Sequence, residues 1–210
     1  MRLTRRSFLP LLGSLLLAQY SSGLERLLSN PELFHDKEMR ERFSLAPTQP
    51  TLLLLGYRQQ LFLMREGVVR GYDVSTGSGG FGNERGECKT PIGVHQVWKK
   101  FGAGEPLVRK DGRLYGTAFQ ARVPVGQREI YTEPINLPRS QEAIMTRILW
   151  LNGVDPENRN NWDRYIYIHG TNEEGLIGQP ASQGCIRMRN KDIIELYRQV
   201  PVGTYINIVP

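Results

Sequence analysis

The chain has 210 residues, of which 40% are hydrophobic, and this composition supports one domain with a buried core plus shorter extensions. Its formal charge of +6 falls to +3 without residues 1–23, which hold three arginines and no acid, because 24 basic and 21 acidic residues remain. These bases are dispersed, with no stripe of interleaved aromatic residues, and this distribution argues against a nucleic-acid partner.

The N-terminus has the pattern of an export signal. Arg5 and Arg6 precede a short apolar run that ends near Ala18. Paired arginines in this position are typical of a twin-arginine signal peptide, to which we assign residues 1–23. The run is too short to span a bilayer in the usual way. We therefore expect a periplasmic protein exported by the twin-arginine route, tethered if the signal is not cleaved. The alternative is a simple amphipathic N-terminal helix.

Residues 24–50 are predicted to form a helical pre-segment and a linker. Asn30 and Pro31 have the order of a helix cap followed by a first-turn proline. We expect this helix to pack on the domain rather than to do chemistry. The apolar residues that recur loosely at helical spacing are Leu27, Leu28, Phe34, Met39 and Phe43.

A β-meander is predicted next, with strands at Thr51–Gly56, Gln60–Met64 and Val68–Thr76. The glycine-rich segment Gly77–Gly86 follows. A phosphate-binding loop would have to open a helix, whereas Pro91 soon after this segment prevents an immediate one. We therefore interpret the segment as a wide loop without nucleotide-binding function.

The middle of the chain mixes strand signals with long polar loops. Thr90–Trp98 is predicted as a strand in which His95 is structural. A further strand is predicted at Leu114–Ala121. Ile144–Leu151 is rich in β-branched and aromatic residues, which favours a strand over a helix. Parts of 99–140 are expected to overhang the functional site as a lid.

The stretch from His169 to Asn190 carries the strongest functional signal. Tyr165–Ile168 is predicted as a buried strand that presents His169 at its end. Cys185 closes a turn of small residues that begins at Ser182. Asn190 is predicted to cap a helix that runs to about Gln199, and Thr204–Val209 is predicted as a terminal strand.

This stretch has the residues that a cysteine nucleophile requires. A thiol attacks carbonyl carbon only as the thiolate, so it needs a base. The chain has three histidines, and only His169 lies a short loop upstream of Cys185. Gly184 lets the backbone approach a substrate closely, and consecutive amides at such a turn can face a developing oxyanion.

The motif resembles the signature of the L,D-transpeptidase (YkuD-like) catalytic domain, in which HG is followed by S-x-G-C-[IV]-R-[ML]-x-N. The resemblance extends upstream to Asp73–Gly77 and Thr90–Gly93 and covers roughly residues 51–209. Many members have a second histidine directly before the Gly-Cys pair, where this chain has Gln183. The matching residues are His169-Gly170, Ser182, Gly184-Cys185, Ile186-Arg187-Met188 and Asn190.

The resemblance implies a mainly β fold for residues 51–210, an L,D-transpeptidase-like β-sandwich with a short C-terminal helix and an N-terminal helical segment before it. It implies that the carbonyl of Gly170 holds the imidazole of His169. The amides of Gly184 and Cys185 are the expected oxyanion donors, together with that of Gln183.

Two side chains are assigned to the substrate-binding part of the site. Arg187 is two residues beyond the nucleophile, and it either binds a substrate carboxylate or braces the loop. Ser182 is the second, although its hydroxyl is also suited to shaping the turn by local hydrogen bonds.

The function that the resemblance implies is acyl transfer on peptidoglycan stem peptides, without a cofactor. Cys185 would form a thioester at the meso-diaminopimelate residue and release the terminal D-alanine. The acceptor would be an amine of another stem, a lysine of a wall-linked lipoprotein, a free D-amino acid or water. The sequence does not choose among these acceptors, nor does it predict an oligomeric state.

Two alternative functions remain open. One is a hydrolytic thiol amidase or L,D-carboxypeptidase that uses the same site. The other is a non-catalytic wall-binding module in which Cys88 and Cys185 form a disulfide, as cysteines of exported proteins often do. A metal site is not predicted, because no cysteines or histidines have C-x-x-C or H-E-x-x-H spacing.

Overall fold

The structure, a computed structural model, describes residues 30–103, 144–159 and 161–210. Within these ranges the chain forms two α-helices and eight β-strands, so the predicted mainly β class with a leading helix and a short C-terminal helix is confirmed. The helices are α1 (Pro31–Phe43) and α2 (Asn190–Gln199). The strands are β1 (Thr51–Leu55), β2 (Gln60–Met64), β3 (Val68–Ser75), β4 (Gly93–Phe101), β5 (Ile144–Gly153), β6 (Tyr167–Thr171), β7 (Ile186–Met188) and β8 (Tyr205–Val209).

The eight strands form one closed sheet in the order β1-β2-β3-β7-β6-β5-β4-β8, and β8 returns to β1. Most neighbours are antiparallel. The exceptions are the pair β1 and β8 and the pair β6 and β7, which are parallel. Parallel pairing of β6 and β7 is what brings the histidine strand beside the strand that follows Cys185.

The two faces of the strands bury different sets of apolar side chains, because successive side chains of a strand point to opposite faces. Leu52 and Leu54 of β1 belong to the main core, together with Ile168 of β6 and Ile186 of β7. Helix α1 lies against β1, where Leu33 packs on a second cluster formed by Leu53, Leu55, Phe62 and Met64.

Helix α1 is capped and anchored by polar contacts. Asn30 caps it, since its Oδ1 atom accepts a hydrogen bond from the amide of Leu33 at 3.2 Å, and Pro31 begins the helix. Asp36 accepts a hydrogen bond from Thr51 Oγ1 at 2.5 Å and is paired with Arg40 at 2.7 Å. These contacts join the helix to the first strand of the sheet, so the predicted packing of this helix on the domain is confirmed.

Several strands differ from their predicted bounds, and β4, β5 and β6 differ by two residues or more at one end. β4 begins at Gly93, not at Thr90, and it continues to Phe101. β5 is a strand as predicted, with an irregular pairing between Met145 and Ile148. β6 begins only at Tyr167, because Tyr165 has a left-handed φ of 55° that interrupts an extended strand. His169 therefore lies in the middle of its strand rather than at its end.

Several predictions fall on residues outside those described. They concern the signal peptide at residues 1–23, the strand at Leu114–Ala121 and most of the lid at 99–140. No helix in the described ranges is both long enough and apolar enough to cross a membrane.

Candidate active site

His169 and Cys185 lie on the same face of neighbouring parallel strands. His169 pairs with Arg187 across β6 and β7, and Cys185 directly precedes β7, two residues before Arg187. Residues two apart in a strand share a face, so the imidazole and the thiol are on one side. This side is opposite to the main core, since Cys185 packs against Ile148 and Tyr167. Both side chains therefore lie on the side of the sheet opposite to the main core.

The imidazole of His169 is fixed by the backbone. The side chain is buried, and its Nδ1 atom lies 2.7 Å from the carbonyl oxygen of Gly170. A carbonyl can only accept, so the proton is on Nδ1, and Nε2 is left with the lone pair that a general base needs. This is the orientation that the resemblance implied for His169.

Gly170 packs against the polar side chains of Asn190 and Thr146, a role that the sequence predicted for neither residue. A Cβ atom on this residue would lie 2.3 Å from Oδ1 of Asn190 and 2.3 Å from Oγ1 of Thr146, so only glycine fits. The two oxygens are themselves 3.2 Å apart, within hydrogen-bond distance. They pack against the backbone whose carbonyl holds His169.

Asn190 has a different role from the predicted one. Arg189 occupies the N-cap position of α2, and Asn190 is the first residue of the helix. The Nδ2 atom of Asn190 donates to the carbonyl of Thr171 at 2.8 Å and to Oε1 of Glu174 at 2.9 Å. Asn190 therefore ties the start of α2 to the end of the histidine strand instead of capping the helix.

The turn before Cys185 is shaped by Ser182. Its Oγ atom accepts a hydrogen bond from the amide of Gly184 at 3.0 Å and donates to the carbonyl of Cys185 at 2.6 Å. These bonds agree with the turn-shaping role predicted for Ser182. Ser182 is buried, with its hydroxyl engaged inside the turn rather than with substrate. The amide of Gly184 is engaged by Ser182, which removes it from the expected oxyanion donors.

The upstream motif residues hold this turn in place. Thr90 Oγ1 donates to the carbonyl of Gly184 at 3.0 Å and accepts from the amide of Gly77 at 2.8 Å. Gly184 has a φ of 122°, and a Cβ atom there would lie 2.8 Å from the carbonyl oxygen of Lys89. The motifs at Asp73–Gly77, at Thr90–Gly93 and around Cys185 are separated in the sequence. In the structure all three contribute residues to this one turn, which explains why they occur in the same chain.

Arg187, which pairs with His169 across β6 and β7, is held in a buried ion pair. Its side chain is 2% exposed, and Nη1 lies 3.1 Å from Oε2 of Glu173, which is 11% exposed. Of the two roles predicted for Arg187, the buried ion pair supports the bracing role. Glu173 was not identified from the sequence, because nothing local to it indicates a buried partner.

The thiol of Cys185 is half-buried, and its Sγ atom lies 3.5 Å from the carbonyl oxygen of Tyr165. Neither cysteine of the chain is in a disulfide, and Cys88 is exposed. Cys88 and Gln183 both line a cavity of about 300 Å³ beside the nucleophile turn. The disulfide of the wall-binding alternative is therefore absent from this structure.

Arg164 supplies positive charge to the same cavity. Its guanidinium donates to the carbonyl of Lys89 at 2.8 Å and to that of Gly82 at 3.3 Å. Burial, followed by repulsion from Arg85, lowers the pKa of Arg164, while attraction from Cys185 acts in the opposite direction. Arg164 therefore places a positive charge in the cavity beside the Cys185 turn.

His95 is structural, as the sequence indicated. It is fully buried in β4, and its Nδ1 atom lies 3.1 Å from the carbonyl of Gly93. Burial lowers the pKa of His95 to about 4, so the ring is neutral at physiological pH. In residues 30–103, 144–159 and 161–210, no three His, Cys, Asp or Glu side chains are arranged to hold a metal ion.

The fold and the site together define a mainly β domain with a cysteine–histidine site. Residues 55–208 match the family model of the YkuD L,D-transpeptidase catalytic domain. The chain therefore belongs to this family, and the family predicted from the motif is confirmed.

Individual relatives match over shorter segments. YkuD of Bacillus licheniformis, provisionally named an L,D-transpeptidase, is 54% identical over 43 residues, which are 20% of this chain and 26% of that protein. ErfK/SrfK of Escherichia coli, also provisionally named so, is 54% identical over 46 residues, 22% of this chain and 15% of that protein. The chain thus matches about a quarter or less of the length of these relatives. An L,D-transpeptidase structure from Xylanimonas cellulosilytica has 18% identity and a TM-score of 0.47, over 78% of this chain and 61% of that one.

Proposed function

We propose that this chain is a peptidoglycan L,D-transpeptidase in which Cys185 is the nucleophile and His169 is the base. The observation that carries the proposal is the 2.7 Å contact from His169 Nδ1 to the Gly170 carbonyl, on the face that also bears Cys185. This contact leaves Nε2 as the proton acceptor in a site where the thiol is only half-buried. Membership of the L,D-transpeptidase family supports the substrate class.

The acylation step begins when His169 Nε2 takes the proton of the Cys185 thiol. The thiolate attacks the carbonyl carbon of the meso-diaminopimelate residue in a stem tetrapeptide, and a tetrahedral oxyanion forms. The amides of Cys185 and Gln183 are the donors we assign to this oxyanion, since Gly184 is engaged by Ser182. The carbon–nitrogen bond then breaks, His169 returns its proton to the leaving amine, and D-alanine departs from the thioester.

The transfer step runs in the opposite direction. An acceptor amine gives a proton to His169 and attacks the thioester carbon, and the Cys185 sulfur leaves as thiolate. The acceptors we consider are a stem amine, a lysine of a wall-linked lipoprotein and a free D-amino acid. Water at the same point gives hydrolysis and a tripeptide. We also propose that the protein acts in the periplasm after export by the twin-arginine route.

The experiment that tests this proposal uses the purified protein and disaccharide-tetrapeptides, with products identified by mass. A cross-linked dimer indicates transfer, and a tripeptide alone indicates hydrolysis. Absence of both products, in a protein whose Cys185 thiol reacts with a small alkylating reagent, would refute the catalytic proposal.

A further inference from the structure

A cluster of aromatic side chains, here called the aromatic patch, extends from the candidate active site to the surface. Trp150 of β5 is its centre. The Trp150 ring lies 4.9 Å from that of Trp98 and 5.4 Å from that of Tyr165, and its Nε1 atom donates to the carbonyl of Trp162 at 3.1 Å. The members of the patch are Trp98, Phe101, Trp150, Trp162, Tyr165 and Tyr167.

The outer part of the patch faces solvent although its rings are large and apolar. Trp98, Trp162 and Tyr165 are 39%, 46% and 44% exposed. Trp98 sits where the pairing of β4 and β5 is irregular, between Val97 and Lys99, and irregularities of this kind redirect a side chain away from the regular alternation. Contiguous exposed aromatic surface is uncommon on a protein without a ligand for it, because burying such rings is strongly favourable.

The patch is amphipathic rather than purely apolar. The Lys99 ammonium lies 4.1 Å from the centre of the Trp98 ring and 5.6 Å from that of Trp150. The rings therefore carry a hydrogen-bond donor above them. A ligand for this surface needs an apolar face for the rings and polar groups at its edge.

The patch is continuous with the nucleophile. The carbonyl of Tyr165 lies 3.5 Å from Cys185 Sγ, and Cys185 packs in the apolar cluster that includes Tyr167 and Trp150. From Tyr165 the ring contacts continue through Trp150 to Trp98. A ligand on the outer rings would therefore lie close to the acyl donor that we propose at Cys185.

We propose that the aromatic patch binds the N-acetylhexosamine units of the glycan strand that carries the donor stem peptide. A pyranose ring has a face of C–H groups that stacks on an aromatic ring, and hydroxyl and acetamido groups at its edge that pair with a donor such as Lys99. The proposal rests on the proposed function. In a stem peptide three residues separate the sugar from the bond that Cys185 attacks, and three extended residues span about 10 Å. That reach matches two successive ring contacts, from Tyr165 to Trp150 and from Trp150 to Trp98.

Intrinsic fluorescence tests sugar binding without any turnover. The chain has three tryptophans, and all of them, Trp98, Trp150 and Trp162, belong to the patch. Titration with N,N′-diacetylchitobiose, which has no peptide and no carboxylate, should change the emission in a saturable way. The change should be lost in Trp98→Ala and Trp162→Ala, as measured from the tryptophans that remain. It should be kept in Tyr57→Ala, which removes an exposed aromatic ring outside the patch.

Steady-state kinetics test whether the patch serves the donor. The readout is the ratio of KM for a free tetrapeptide to KM for the disaccharide-tetrapeptide. Trp162→Ala should lower this ratio by about tenfold, which corresponds to roughly 1.4 kcal/mol, whereas Tyr57→Ala should keep the wild-type ratio.

Three results would overturn the inference. The first is the absence of a saturable fluorescence change, and the second is an equal rise of both KM values in Trp162→Ala. The third is a mass measurement showing a concentration-dependent dimer that Trp162→Ala abolishes, since the patch would then join two copies of the chain. Saturable sugar binding without turnover of either donor would refute the proposed function and leave the sugar site standing.

Discussion

Oδ1 of Asn190 lies 2.3 Å from the place where a Cβ atom on Gly170 would be, so α2 presses directly on the backbone that orients the histidine. Asn190 begins α2, and Gly170 follows His169 in β6. The base is consequently positioned by a contact between two elements that are distant along the chain. The orientation of the His169 ring therefore depends on how α2 packs against β6, and not only on β6 itself.

Gly170→Ala should therefore impair the base without removing it. The added methyl group meets Asn190 and Thr146, so the peptide must shift and its carbonyl must leave the 2.7 Å contact with Nδ1. Resemblance to the L,D-transpeptidase family implies that carbapenems acylate Cys185. We expect this acylation to slow by roughly 100-fold in Gly170→Ala, since a misplacement of about 1 Å has that effect. Gly175→Ala is the matched control, because a Cβ atom there meets nothing within 4 Å. Equal rates for the two variants would show that the Gly170 carbonyl does not position the base.

The two cysteines should differ completely in reactivity toward substrate. A carbapenem should form one stable adduct, and peptide mapping should place it on Cys185. Cys185→Ala should abolish both the adduct and turnover, because no other thiol lies beside His169. Cys88→Ala should keep most of both, since Cys88 is exposed and belongs to the loop before β4, not to the β6–β7 pair that carries His169 and follows Cys185. An adduct on Cys88 in the wild-type protein would be incompatible with the assigned nucleophile.

The pair of Arg187 and Glu173 should be important for stability. Glu173→Gln leaves a guanidinium that is 2% exposed without its carboxylate, and the loss of one partner of a buried pair costs about 3 kcal/mol of unfolding free energy. Asp73→Asn breaks the pair with Arg189, which is 3.2 Å long but exposed, and should cost less than about 1 kcal/mol. Denaturant unfolding measures both. Similar losses would mean that Arg187 is held by other contacts.

His95 should make the protein less stable in mild acid. Its pKa is about 4 in the folded protein and near 6.5 when unfolded, so between these values the unfolded chain binds a proton that the folded chain does not. Unfolding free energy should fall by up to about 1.4 kcal/mol per pH unit from this group as pH drops from 6.5 toward 4. His95→Gln should flatten this slope, and its acylation rate should stay near that of the wild-type protein, because His95 lies in β4, which pairs with β5 and β8 and not with β6 or β7. A slope that stays unchanged in His95→Gln would assign the acid sensitivity to other groups.

Export should depend on the paired arginines of the N-terminus. Replacing Arg5 and Arg6 with lysine should retain the precursor in the cytoplasm, because the twin-arginine route requires that pair. Arg2→Lys is the control, as it alters a basic residue outside the pair. Cell fractionation provides the measurement, and normal export of the double-lysine form would indicate the general secretory route.

Sequence patterns identified most of the strands and the two residues that we propose as nucleophile and base. The strands were found because alternating and continuous apolar runs are local signals, and Cys185 and His169 because their motif is local too. The start of β6 was missed since a left-handed residue other than glycine, Tyr165, has no sequence signature. Glu173 and Thr146 were missed for another reason. Each gains its role from a partner that only the folded chain brings near.

The place of β8 in the closed sheet has a consequence for how the domain is made. β8 lies between β1 and β4, and its parallel partner β1 is about 150 residues earlier in the chain. During synthesis the edge of β1 that pairs with β8 stays unpaired until residues 205–209 have left the ribosome. Without these residues the sheet would no longer close, and the edges of β1 and β4 would both be exposed. We therefore expect nonsense mutations just before β8 to yield protein that aggregates rather than a shortened but active domain.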